Sequence, residues 1–210
     1  MDLPDTDTLP SKLFLLALNP ERERLTGRHN LDLLLGAAVL TELFQRGLLR
    51  DERGRAVATG PAPADLDPLL AEALQRIRDA RLRPWRAWMT SRRHTARAVR
   101  EQLAADGRIR VAEHRVLGLF PARRITCRDP RPRKALLTAV SGALRGPLGR
   151  VTPADAALVA LADAGQLRIV VDYRVRRAHR RRLAELAARC GPLPLALRRA
   201  IRARDAVASF

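Results

Sequence analysis

The stretch Leu31–Gly47, LDLLLGAAVLTELFQRG, decides how the rest of the chain is read. From Leu31 to Phe44 it is apolar on nearly every side of a 3.6-residue helix, and a helix apolar all round belongs inside a fold. Gly47 follows it, at the position after a helix end where a left-handed residue is favoured. The stretch therefore predicts a central buried helix surrounded by other elements.

Upstream, SKLFLLAL from Ser11 reads as a first apolar helix, with Ser11 as its cap and a stop near Asn19, because Pro20 disfavours helix at the residue before it. The acidic start MDLPDTDTLP reads as a flexible tail over 1–10 and is the reverse of a secretory signal. Downstream, Asp67-Pro68, Asp129-Pro130 and Thr152-Pro153 each put a capping side chain before a proline at a helix start. Two more segments, RRHTARAVREQLAA and RRAHRRRLAELAARC, are amphipathic and basic helices.

One pattern recurs. L-x-x-x-G-x-[L/I]-R occurs at Leu43–Arg50, Leu103–Arg110 and Leu161–Arg168. Each copy reads as a helix ending at a glycine and turning into an extended piece, LLR, IRV or LRIVV. After the first, DERGR makes a turn before AVA. After the second, a turn at AEH or near Gly118 precedes RRIT, so HRVLGLFPARR, His114–Arg124, lies on a β-hairpin leaving the helical body.

The 210 residues suit a single domain, here 11–210. The net charge of +18 is uneven: residues 1–80 hold 10 basic and 13 acidic side chains, residues 81–210 hold 30 and 9. Of the 40 cations 38 are arginine, whose planar fork suits phosphate, so the composition favours phosphate-bearing partners, nucleic acid or an anionic membrane. A codon bias enriching Arg and Ala accounts for the composition equally well. No stretch approaches the roughly 20 apolar residues a spanning helix needs, so a cytosolic protein is expected. Cys127 and Cys190 are isolated and read as buried or idle thiols, and no metal or cofactor motif occurs. No nucleophile elbow or phosphate loop is present, and His29, His94, His114 and His179 are scattered, which disfavours an enzyme.

Residues 81–100 carry seven arginines and no acid, with Trp85 and Trp88 among them. On a helix Arg93, Arg97 and Arg100 fall on one face, while Ala96, Val99 and Leu103 mark the packed face. Arginines beside interfacial aromatics, with a hairpin tip of Val116, Leu117, Leu119 and Phe120, are what a peripheral membrane protein needs. The plainer readings are a solvated charged face over two core tryptophans, and a tip packed on the protein itself or on a second subunit. A winged-helix nucleic-acid binder is the alternative function, because helix, glycine, strand and basic hairpin also build a wing.

Taken in order, FLLALNPERERL, GAAVLTELFQRGLL, DPLLAEALQRI, LAADGRIRVAEHRVLGLFPARR and ALVALADAGQL resemble the Golgi phosphoprotein 3 family, in a short bacterial form, over about residues 11–190. The resemblance implies a mainly α, single helical domain with a projecting β-hairpin at about 108–126. It also implies binding of phosphatidylinositol 4-phosphate at a basic pocket, and a non-catalytic adaptor role at a membrane. The family's hairpin, which serves in self-association and membrane insertion, aligns with Ala112–Arg123. Its pocket carries over poorly: the tryptophan and arginine positions hold Gly27 and Gly36, and of an R-x-x-R pair the first matches Arg93 while the second falls on Ala96.

The expected headgroup contacts are therefore Arg93 and Arg97, with Arg86 and Arg100 as electrostatic support and weaker headgroup selectivity. The expected tip is Val116, Leu117, Leu119 and Phe120. The partners are an anionic phospholipid membrane, at its inner, cytoplasmic face, and a second copy through the hairpin; nucleic acid ranks below both. No cofactor is expected.

Overall fold

The computed structural model describes residues 7–91, 94–116 and 120–207, with side chains left aside over 113–123. Among the described residues ten helices and three small antiparallel sheets make it mainly α with a β-hairpin, as expected. The helices are α1 (Leu9–Ala17), α2 (Arg28–Gln45), α3 (Pro68–Asp79), α4 (Trp85–Thr90), α5 (Thr95–Ala105), α6 (Arg131–Arg145), α7 (Pro153–Ala164), α8 (Tyr173–Ala178), α9 (Arg180–Ala188) and α10 (Leu193–Val207).

Helix α2 is the axis of the molecule. Leu34, Leu35, Ala37, Ala38, Val39, Leu40 and Leu43 are buried along it, against α1, α3, α4, α5, α7 and α10. Each fully buried leucine contributes roughly 1.5–3 kcal/mol. Helix α1 begins three residues before the expected start: Thr8 and not Ser11 is its cap, accepting from the Ser11 amide, and Leu9 and Pro10 of the expected tail are buried in its first turn. Caps Asp67 and Thr152 sit where the sequence places them, whereas α6 starts at Arg131, whose amide donates to Asp129 Oδ1 at 2.9 Å.

Three strand pairs decorate this body. Strands β1 (Leu18–Asn19) and β2 (Arg24–Leu25) close the α1–α2 loop. Strands β3 (Leu49–Glu52) and β4 (Arg55–Ala58) form the hairpin expected after Gly47, turning at Arg53 and Gly54, both left-handed at φ 50° and 80° as a two-residue hairpin turn requires. Strand β5 (Arg83–Pro84) adds to β4. Strands β6 (Ile109–Val116) and β7 (Phe120–Cys127) pair from Ile109–Cys127 out to Val116–Phe120, so AEH lies within a strand and makes no turn, while the turn expected near Gly118 lies outside the described residues. At the base of this long hairpin Ile109 and Ile125 are buried in the core, Val111 and Cys127 half-buried, while Ala112 and Arg124 are exposed. Glu23 clamps the base, its carbonyl accepting from the Ile125 amide at 2.8 Å and its carboxylate meeting Arg124 at 2.9 Å.

Two expectations are corrected here. The repeated glycine motif makes the same cap three times, with amide-to-carbonyl bonds Leu48–Leu43, Arg108–Leu103 and Leu167–Ala162 of 2.8–2.9 Å, but the third is shifted by one residue. There Gln166, not the glycine, is left-handed at φ 57°, and LRIVV folds as turns because the amides of Val170 and Val171 return to the Leu167 carbonyl. The basic helix expected through RRAHRRRLAELAARC is broken at His179 into α8 and α9. Helix α10 is an addition, held to α2 by Arg204, which donates to the His29 carbonyl and to Asn30 Oδ1. Cys190 is buried, and burial pushes its thiol up to about 11, so it stays protonated and inert.

Candidate headgroup-binding face

The start of α2 and the start of α5 meet. Asp32, in the second turn of α2, accepts the Ala96 amide at 2.8 Å and so occupies the positive first turn of α5 with a carboxylate of the protein's own. Arg97 follows on α5, exposed, with Nε donating to Glu101 at 2.8 Å, and this bond and charge push its guanidinium further up from its already high pKa. Arg100, mostly covered, lies 4.0 Å from the same carboxylate. The acid-free run of residues 81–100 is therefore not acid-free in space: Asp32 arrives from another helix and Glu101 from the next residue.

The other expected contacts divide. Arg86 is exposed on α4 and lines a groove with Trp85, Leu195 and Arg199, apart from Arg97 and Arg100. Arg93 lies outside the described residues. Leu117 and Leu119 also lie outside them, and of Val116 and Phe120 only the backbones are described, as the last rung of the hairpin. Trp85 and Trp88 are core residues, correcting their reading as interfacial aromatics. Trp85 donates its indole to Asp51 and packs edge-on against Phe44 at 5.9 Å, and Trp88 lies under the Arg83 guanidinium at 5.5 Å.

Gly27 caps α2 at φ 62°, a left-handed position that a bulkier residue takes only under strain. Beside it is a shallow depression of about 500 Å³ lined by Asn19, Arg28, His29, Gln166 and Arg168 among others. Arg28 and Arg168 are exposed there without ion pairs among the described residues, whereas His29 lies 3.4 Å from Asp205. These two arginines escape a sequence reading because they come from α2 and from the turn after α7; the signal available was Arg168 closing the third motif copy. Gly36 is buried within α2. Among the described residues the face offers guanidiniums for phosphate oxygens, Arg97 and Arg100 on α5 and Arg28 and Arg168 beside Gly27, while Trp85 and Trp88 are buried. Among the described residues no His, Cys, Asp and Glu group is placed to hold a metal, and no helix is long and apolar enough to cross a membrane.

The helical body and its β-hairpin are those of a mainly α protein with small antiparallel strand pairs. The chain belongs to the Golgi phosphoprotein 3 family: the family model described as Golgi phosphoprotein 3 (GPP34) matches residues 9–204. At the level of the family, membership supports phosphoinositide binding without catalysis. No curated protein matches the chain.

Proposed function

We propose that this protein is a peripheral, non-catalytic membrane adaptor that docks on anionic phospholipid headgroups, phosphatidylinositol 4-phosphate being the headgroup nominated by its family. The observation that carries the reading is the family match across residues 9–204. Arg93 and Arg97 contact headgroups, with Arg86 and Arg100 adding attraction. Val116, Leu117, Leu119 and Phe120 enter the lipid or a second copy, at the inner face of the membrane. Each basic residue near an anionic leaflet contributes about 1 kcal/mol. Because Gly27, Gly36, Ala96 and Asp32 stand where a headgroup pocket would be built, attraction by charge outweighs selection by shape.

Co-sedimentation tests this with neutral vesicles, vesicles carrying a generic anionic lipid, and vesicles carrying phosphatidylinositol 4-phosphate at equal surface charge, with duplex DNA as competitor. The expected result is binding to both acidic vesicles that weakens as salt screens it, and weakens further in Arg93→Ala/Arg97→Ala. Absence of vesicle binding, with DNA bound instead, would overturn the reading in favour of nucleic acid.

A further inference from the structure

A cavity opens at the other end of α7 from its cap, where α8, α9 and α10 converge. It measures about 580 Å³, within the range of small-ligand sites, and five arginines line it: Arg176 and Arg177 from α8, Arg180 from α9, Arg198 and Arg202 from α10. The one carboxylate in its wall is Asp163, only 3% exposed. Both of its oxygens are taken, Oδ1 by Arg176 Nε at 2.6 Å and Oδ2 by Arg198, and Arg176 Nη2 also donates to the Asp163 carbonyl at 2.8 Å. Asp163 thus holds two guanidiniums facing the cleft from different helices. Arg177, Arg180 and Arg202 are exposed and have no acidic partner among the described residues.

A solvated charged face spreads its cations; this arrangement gathers them in a concavity with four net positive charges and anchors two of them on a buried acid. Like charges crowded in this way repel, and an entering anion relieves the repulsion. A single carboxylate would leave most of the charge uncompensated, whereas guanidinium forks match phosphoryl oxygens pairwise. Tyr173, 75% exposed, stands at the wall with a hydroxyl donor and a free ring face for whatever carries the phosphates.

We propose that this cleft is a binding site for a phosphate-dense anion bearing two or more phosphoryl groups, either a soluble molecule or a lipid headgroup. The site goes beyond the proposed membrane function: its arginines are not those expected to contact headgroups, although Gln166 lines both this cleft and the depression at Gly27.

Calorimetric titration of tripolyphosphate into the full chain tests it at about 150 mM salt, where screening reaches within about 8 Å. The expected result is one site per chain. Arg177→Ala/Arg180→Ala/Arg202→Ala should weaken it at least about tenfold through lost charge-assisted hydrogen bonds, while the ligand-free variant melts no lower than the parent. Arg22→Ala/Arg81→Ala/Arg150→Ala removes the same charge from exposed positions elsewhere and should leave affinity within about twofold. No binding, several weak sites, or equal loss in both variants would overturn the proposal. Vesicles bearing a phosphomonoester headgroup then separate the sources: displacement by tripolyphosphate identifies the lipid, and its absence beside intact calorimetric binding identifies a soluble ligand. Failure of vesicle binding alone leaves the calorimetric result standing.

Discussion

At Gly165 the absence of a side chain lets two helices touch. A Cβ there would lie 2.7 Å from Leu34 Cδ1 and 3.0 Å from the Leu161 carbonyl oxygen. Gly165→Ala should therefore push α7 from α2 and cost about 1–3 kcal/mol, read from the denaturant midpoint. The neighbour has the opposite sign. Gln166 sits at φ 57°, where a Cβ is strained, so Gln166→Gly should be stabilising by up to about 1 kcal/mol. The glycine was legible in the sequence as the third copy of a motif, but its reason was not. At Gly47 and Gly107 the backbone needs φ of 71° and 67°, whereas at Gly165 a distant leucine sets the requirement, and no local pattern contains that leucine.

Among the elements, the meeting of α2 with α5 has a functional consequence through Asp32. Asp32→Asn keeps the size of the group that caps Ala96 and should cost no more than about 1 kcal/mol of stability. It also removes a negative charge from the face proposed to meet lipid, which should raise binding to acidic vesicles about fivefold at low salt. Unchanged sedimentation would separate α5 from the membrane-facing surface. Helices with strong caps, α3 and α7, were readable residue by residue. Helix α10 was not read, although Leu193, Leu197, Ala200 and Ile201 mark an apolar stripe after Gly191-Pro192 and all four are buried. The break at His179 has no such signature, because both flanks carry the same arginine-rich pattern.

For the whole molecule, the arginine count overstates what is available to a ligand. Arg133, Arg182, Arg189 and Arg204 donate to the carbonyls of Leu18, Ala143, Val151 and His29, joining segments far apart in sequence. Composition therefore reads the charge correctly and its use incompletely: these carbonyl-bound arginines build the fold. The hairpin makes the complementary case. Replacing residues 113–123 by Asn-Gly keeps the Ile109–Cys127 and Val111–Ile125 pairs and should leave the melting temperature within about 2 °C while removing any insertion or self-association due to the tip, measured by calorimetry and by vesicle sedimentation with and without the arm. A large fall in melting temperature would mean that the arm packs on the body. A hairpin anchored at its base by Ile109 and Ile125 can also open without disturbing the helices. Its outer amides should exchange with deuterated solvent long before those of α2, and selection can rewrite the tip for a new surface while the body keeps its sequence.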